Sequence, residues 1–320
     1  VIAILLVQDL VMVEPELMGM ARLMDVARGG YIFFCMCSIA FHKNLRGLKL
    51  VVDCANGATY HIAPAVFREL GAEVIEVGTS PDGMNINQEV GALYPESMRA
   101  HVLENQAEMG IAFDGDGDRV MMMDARGDVK NGDQLLYIIA KNKLLRGKLD
   151  GGVVGTLMTN LGCEHAFKAN NIPFERAAVG DRYVLEKLVE FGWYLGGESS
   201  GHLICLDKTT TGDGIIAALQ VLDGLGSSWQ TLTEACAEME IYPLTMINVP
   251  VSKKLDLDKS PLVQDALRSA ESALADSGRV LLRASGTEPL IRVMVEGQQQ
   301  EQVEKTAEIL AQAVREAAEN

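Results

Sequence analysis

The hexapeptide Asp114-Gly-Asp-Gly-Asp-Arg119 follows directly on the apolar run Met109–Phe113. An apolar run of this length reads as a buried strand. The acidic residues then sit at the strand's carboxyl end, where open α/β sheets bind ligands. Three carboxylates at i, i+2 and i+4 repel one another unless positive charge sits among them. The glycines between them permit the curvature that turns all three inward. Hard oxygen donors of this kind suit Mg²⁺, and Arg119 is placed to hold a substrate oxygen. A calcium EF-hand would need Gly at the sixth loop position and Glu at the twelfth, between two helices. Those positions hold Arg119 and Ala125, and Val120–Asp124 with the turn Ala125-Arg-Gly-Asp128 reads as a hairpin. A solvated acidic turn explains one Asp-Gly pair, not an alternating run of aspartates ending in arginine.

The flanking sequence supplies the sheet. Leu48–Asp53 reads as a strand, Ala63–Leu70 as a helix closed by Gly71, and Glu73–Gly78 as a second strand. This strand–helix–strand rhythm builds largely parallel sheet. It recurs with a helix over Gln134–Leu145, a strand over Gly152–Gly155, and helices over Gly162–Asn170, Asp181–Glu190 and Gly212–Leu225. Past residue 248 the style changes. Val280–Arg283 and Leu290–Glu296 read as strands joined by a polar loop, and Gln302–Glu319 as an amphipathic helix with Val303, Ala307, Leu310 and Val314 on one side. The class predicted is α/β: consecutive α/β/α mixed-sheet domains followed by a small α+β C-terminal domain. The divisions are an irregular segment over 1–45, then units over 46–136, 137–248 and 249–320. Within the first segment, Leu17, Ala21, Leu23, Met24 and Ala27 suggest a helix in 15–30, and Ile32–Cys37 is apolar without clear period.

Composition narrows the function. The chain has 320 residues, 48% hydrophobic and 22% charged, which is a globular composition of two or three domains. Lys plus Arg is 28 against 44 Asp plus Glu, a net charge of −16. Such a surface repels nucleic acid and anionic membranes, so neither is expected as a partner. A phosphorylated ligand must then be met by a local positive site or a metal ion. The six cysteines show no CxxC pair, and reduced core thiols in a cytoplasmic protein are expected. The apolar run Val1–Val7 is too short to span a bilayer and lacks the flanks of a secretory signal. A first residue of Val rather than Met points to a chain that does not begin at a natural start.

Three further loops carry chemistry. Gly196-Gly-Glu-Ser-Ser-Gly-His202 follows the strand-like Trp193-Tyr-Leu195. Its small residues let backbone approach a ligand, and Glu198, Ser200 and His202 offer an acceptor, a hydroxyl and an imidazole suited to sugar hydroxyls and proton transfer. A polar surface loop would look much the same. Arg283-Ala-Ser-Gly-Thr-Glu-Pro289, with Arg292 beyond it, can wrap a phosphate with hydroxyls, backbone N–H groups and two guanidinium forks. Val179-Gly-Asp-Arg-Tyr183 sits at a strand-to-helix junction, where Asp181 by itself reads as a helix cap.

Asp114–Arg119, Gly197–His202 and Arg283–Pro289, in this order, resemble the α-D-phosphohexomutase superfamily. Within it, Val52-Asp-Cys-Ala-Asn-Gly-Ala-Thr59, Pro81-Asp-Gly-Met-Asn-Ile-Asn87, Gly155-Thr-Leu-Met158, Val179–Val184 and Asp207–Gly214 look most like the bacterial phosphoglucosamine mutases. The resemblance covers about residues 14–320. It implies a cytoplasmic isomerase that interconverts glucosamine 6-phosphate and glucosamine 1-phosphate for UDP-N-acetylglucosamine and peptidoglycan synthesis. Such enzymes have four domains and work through a phosphoserine in the first. The resemblance assigns Mg²⁺ to Asp114, Asp116 and Asp118, catalytic roles to Arg119 and His202, and substrate binding to Asp181, Arg182, Glu198 and Ser200. It assigns the phosphate that is not reacting to Arg283, Ser285, Gly286, Thr287 and Arg292. The expected partner is a hexosamine phosphate, and the resemblance allows a homodimer. No Ser here is followed by His-Asn, so the serine loop of the Thr-Ala-Ser-His-Asn-Pro type is absent. The 320 residues are then expected to hold domains two to four and, alone, not to complete the mutase cycle. The alternatives are a phosphomannomutase or phosphoglucomutase of the same superfamily, or a non-catalytic truncated sugar-phosphate-binding remnant. Only the Pro81–Asn87 segment favours glucosamine.

Overall fold

In the computed structural model, the described residues are 25–39, 44–226, 230–251, 256–285 and 288–319. The first element is helix α1 (Asp25–Ser38). It overlaps the expected helix at 15–30 over residues 25–30 and runs on to Ser38; residues 15–24 lie outside the described residues, as does Val1–Val7. Ile32–Cys37, read as lacking a period, is helical: Ile32 and Cys35 turn inward while Phe33 and Phe34 face outward, the spacing of a helix with one buried stripe.

The apolar run at residues 49–53 forms β1 (Lys49–Asp53), buried along nearly its whole length. Helix α2 (Ala63–Glu69) returns the chain to β2 (Glu73–Val77), which pairs parallel with β1. A 3-10 turn at Pro95–Met98 leads into α3 (Arg99–Glu104) and β3 (Met109–Phe113), parallel to β1 on its other side. The chain then reverses. β4 (Val120–Asp124) runs antiparallel to β3, and β5 (Val129–Lys130) closes the edge. The order of this first sheet is β2-β1-β3-β4-β5.

Helix α4 (Gly132–Leu145) starts at a capping box in which Asn131 accepts from the Gln134 backbone and Gln134 reaches back. The second sheet repeats the plan of the first. β6 (Val153–Thr156), α5 (Leu161–Ala169) and β7 (Phe174–Ala177) form a parallel pair. Helix α6 (Asp181–Phe191) ends at Gly192, whose φ of 66° is the left-handed cap that glycine favours. β8 (Leu195–Gly197) then lies parallel to β6, and β9 (Leu203–Cys205) turns back antiparallel, giving the order β7-β6-β8-β9. Helices α7 (Gly214–Gly224) and α8 (Leu232–Ala235) follow.

The two sheets do not have separate interiors. One core runs from Phe67 and Phe113 through Leu135, Tyr137 and Ile138 to Phe167, Leu219 and Leu222. Helix α4 packs against β4 and β8, and α7 against β3, β4 and β9. A division at 136/137 cuts through α4, so the break falls before its cap instead. The division at 248/249 likewise cuts β10 (Leu244–Pro250). That strand, α9 (Pro261–Leu274), β11 (Gly278–Ala284), β12 (Leu290–Gly297) and α10 (Gln300–Glu319) make the last unit. Its antiparallel sheet is ordered β10-β12-β11. It has its own core of Val249, Val263, Val293, Val295, Val303 and Leu310. The six cysteines are all free, and only Cys37 is exposed. Among the described residues no helix is long and apolar enough to cross a membrane.

Candidate functional site

The acidic loop is the β3–β4 hairpin connection. Its floor is the turn after β1. Asp53 is fully buried; one of its oxygens accepts from Ala55 N at 2.9 Å and the other from Gly91 N at 2.7 Å. That turn carries Ala58, whose N–H donates to Gly115 O at 2.8 Å. Sequence reading gives Asp53 no role, although a carboxylate closing an apolar strand is itself a signal.

Asp114, Asp116 and Asp118 converge, each offering an oxygen within 4.8 Å of the others. Asp114 is buried and accepts from Arg119 N at 3.0 Å. Burial, against that hydrogen bond and with the charges of Asp118 and Asp116, pushes its carboxyl above the usual range. Asp118 is raised by burial and by Asp116. One oxygen of Asp118 is buried with no hydrogen-bond partner. Three crowded carboxylates with an orphaned buried oxygen form a donor set that fits a hard divalent cation. Arg119 pairs with two of them, with Nε 3.5 Å from Asp114 and 3.8 Å from Asp118.

The serine- and glycine-rich loop is the equivalent hairpin connection of the second sheet, β8 to β9, and it docks on the acidic loop. Val120 N donates to Gly201 O at 3.0 Å, and Gly132 N donates to Ser199 O at 3.0 Å. Arg119 and His202 form an isolated antiparallel bridge. His202 Nε2 lies 3.5 Å from Asp118 Oδ2. The imidazole is buried, which holds its pKa below the usual histidine value against the pull of Asp181 and Glu198. Gly201 is required here. Its φ is +94°, and a side-chain carbon would lie 2.3 Å from Val120 O.

Glu198 accepts from Gly180 N at 3.0 Å, so it covers the start of α6. Gly180, not Asp181, holds the cap position, and the Asp181 side chain makes no cap bond. Asp181 is exposed on the first turn, and its charge reaches both Asp118 and His202. Arg182 is exposed and bonds its own helix through Glu186 at 2.8 Å. Ser200 is exposed at the hairpin tip. The structure thus brings Asp114, Asp116, Asp118, Arg119, Glu198, Ser200 and His202 together, with Asp181 at their edge.

Arg283 and Arg292 lie on the third sheet, where they are direct cross-strand partners on β11 and β12. Like charges placed opposite one another are unfavourable without an anion between them. Arg292 Nε is buried without a partner, and its terminal nitrogen is 3.8 Å from Glu288. Ser285 Oγ accepts from Glu288 N at 3.3 Å, tightening the loop. Gly286 and Thr287 lie outside the described residues.

Family models match the chain in three blocks. The descriptions are "Phosphoglucomutase/phosphomannomutase, alpha/beta/alpha domain II" over 35–127, "alpha/beta/alpha domain III" over 131–242 and "C-terminal domain" over 246–313. The chain belongs to the phosphoglucomutase/phosphomannomutase family. Its similar curated relatives are named phosphoglucosamine mutase. That of Methylobacillus flagellatus is 56% identical over 311 residues, covering 97% of this chain and 69% of the relative. That of Alkalilimnicola ehrlichii is 57% identical over 300 residues, 94% of this chain and 66% of the relative. The chain therefore spans about two thirds of the length of these relatives. A family protein from Burkholderia thailandensis has the same fold at a TM-score of 0.73 and 23% identity, covering 91% of this chain and 64% of that one. So does the Aspergillus fumigatus N-acetylphosphoglucosamine mutase solved with GlcNAc-6P and magnesium, at 0.70 and 23%, covering 90% of this chain and 70% of that one.

Proposed function

We propose that this chain supplies the metal-binding, sugar-binding and phosphate-binding parts of a cytoplasmic phosphoglucosamine mutase. The reaction it serves interconverts glucosamine 6-phosphate and glucosamine 1-phosphate. The observation that carries this reading is the union of the two equivalent hairpins, which sets three carboxylates, a guanidinium and a buried imidazole side by side. The relatives named phosphoglucosamine mutase supply the reaction.

Asp114, Asp116 and Asp118 would hold Mg²⁺, which when bound neutralises charge on a phosphoryl group in transfer. Arg119 faces the same group and can stabilise its oxygens. Burial lowers the His202 pKa, which favours the imidazole form that can accept a proton from a sugar hydroxyl. Glu198 and Ser200 read the sugar hydroxyls, with Asp181 and Arg182 at the entrance. Arg283 and Arg292, with Ser285, Gly286 and Thr287, grip the phosphate that does not react. That division of labour holds the sugar at one end and its spare phosphate at the other, the positioning on which phosphoryl transfer depends.

Calorimetry on the 320-residue chain with Mg²⁺ tests the reading. Glucosamine 6-phosphate should bind more tightly than glucose 6-phosphate or mannose 6-phosphate, and Arg292→Ala should abolish the difference from a phosphate-free sugar. Equal binding of the three sugars would move the assignment to a broader hexose phosphate mutase. No binding of any would overturn it.

A further inference from the structure

Two arginines from different sheets converge on the loop that leaves the middle strand of the second sheet. Arg176 on β7 donates to Thr156 O at 2.7 Å and Thr159 O at 2.8 Å, and Glu164 on α5 balances its charge at 2.6 Å. Arg279 on β11, in the other core, donates to Leu157 O at 2.8 Å and Thr159 O at 2.9 Å. Its charge partner lies on its own sheet. Glu296 on β12 is fully buried, and its Oε2 accepts from Arg279 Nε at 2.5 Å.

The placement of the loop matters. Leu157 N donates to Ala177 O at 3.0 Å, so the loop occupies the same carboxyl edge as Gly180 and its partner Glu198. On β11, Arg279 and Arg283 share one face, about 13 Å apart at ~3.3 Å per residue. One strand therefore carries a fork onto the sugar-reading sheet and a fork that faces Arg292. The acceptors on the far side are neutral carbonyls, and the counter-charge travels with Arg279. Asn160 and Tyr242 tie the other end of the loop, with Asn160 Nδ2 donating to Tyr242 O and Tyr242 N to Asn160 Oδ1, both at 3.0 Å. Gln298 donates to Tyr242 Oη at 2.8 Å.

We propose that Arg279 is a positioning residue: by forking onto Leu157 and Thr159 it sets the distance between the phosphate grip on the last sheet and the sugar loop on the second. This rests on the function proposed above, because the distance matters only to a ligand that spans both.

The test compares a spanning ligand with one that reaches the grip alone, on the full 320-residue chain. Glu296 is buried, so Arg279→Ala would strand a charge and risk unfolding. The variants are therefore Arg279→Lys, and Arg279→Met paired with Glu296→Gln. Affinity for glucosamine 6-phosphate should fall about tenfold in both, while affinity for inorganic phosphate changes less than about twofold, because only the linked contact loses effective concentration. Equal losses for both ligands, or none for either, overturn the proposal. The second readout is the distance between spin labels at Glu190→Cys and Glu301→Cys in a Cys37→Ser background. It should broaden in the variants, and an unchanged distribution overturns the proposal. If the parent chain binds glucosamine 6-phosphate no better than phosphate, the functional reading has failed, and the spin-label distance alone decides the role of Arg279.

Discussion

The first and second sheets are one plan carried out twice. A middle strand, a helix and an outer parallel strand come first, then a third parallel strand, then a hairpin back along the edge. The β3–β4 connection is Asp114–Arg119 and the β8–β9 connection is Glu198–His202. Equivalent hairpins thus hold the acidic loop and the serine- and glycine-rich loop, and they bond to each other. The difference lies in what each loop needs from outside. Asp114–Arg119 concentrates three carboxylates whose oxygens converge, a donor set that fits a hard divalent cation. Glu198–His202 concentrates small residues, and its task is to lie close to its neighbour. Duplicated topology puts two chemistries at one place because equivalent hairpin tips carry different residues.

The comparison breaks most sharply at the contact between the tips. Gly201→Val puts a β-branched side chain where φ is +94° and Val120 O is in the way. We expect a loss of about 3 kcal/mol or more in folding stability, read as a lower melting temperature. Mg²⁺ binding and sugar-phosphate binding should weaken together. If the melting temperature falls but Mg²⁺ affinity holds, the acidic loop is organised without its partner. A smaller change probes the acidic tip alone. Asp116→Asn removes one of three converging charges from an exposed position and should weaken Mg²⁺ by about tenfold in calorimetry, leaving the melting temperature nearly unchanged. Unchanged affinity would remove Asp116 from the cation site.

Much of this was legible because the sequence writes strands, caps and hairpin tips locally. Met109–Phe113 and the acidic loop were readable as strand and connection, since apolar run and turn residues adjoin. Helix α1 was legible only in its first turns, within the helix expected over 15–30; beyond them its inward stripe of Ile32 and Cys35 is hidden among outward Phe33 and Phe34. Helix α9 has a Ser260 cap, Pro261 at its first position and an inward Val263, Ala270 and Leu274, signals the sequence reading of 249–320 passes over. The docking of the two hairpins left only indirect marks, the glycines at 132 and 201, where a side chain would strike the facing loop, because its hydrogen bonds run through main-chain atoms of Val120, Gly201, Gly132 and Ser199. Arg279 is invisible for the same reason: its acceptors are the carbonyls of Leu157 and Thr159, more than a hundred positions earlier.

The finest test of the duplication concerns the loop after each middle strand. A buried carboxylate organises both, from the strand's own last residue at Asp53 and from α4 at Asp133. Asp53 uses both oxygens as acceptors. Asp133 uses one, for Asn160 N at 2.9 Å, and its other oxygen is buried without a partner. Burial, opposed by the Asn160 bond and reinforced by Glu296, pushes the Asp133 carboxyl up to about 6. Unfolded, it would titrate near ~3.9. Between those values the folded chain keeps a proton that the unfolded chain has lost, so folding stability falls as pH rises through about 4 to 6 and levels off above. Asp133→Asn keeps an acceptor for Asn160 and removes the titration. It should flatten that part of the pH profile and leave stability at pH 7 equal or higher, by roughly 1–3 kcal/mol at most. Asp53→Asn keeps only one of two required acceptors and should be destabilising at pH 7 by about 1–3 kcal/mol. Urea midpoints for both variants across pH 4 to 8 decide the matter. Equal behaviour of the two would mean that the carboxylates do the same work in both units, and that the charges of Arg176 and Arg279 add nothing to the second.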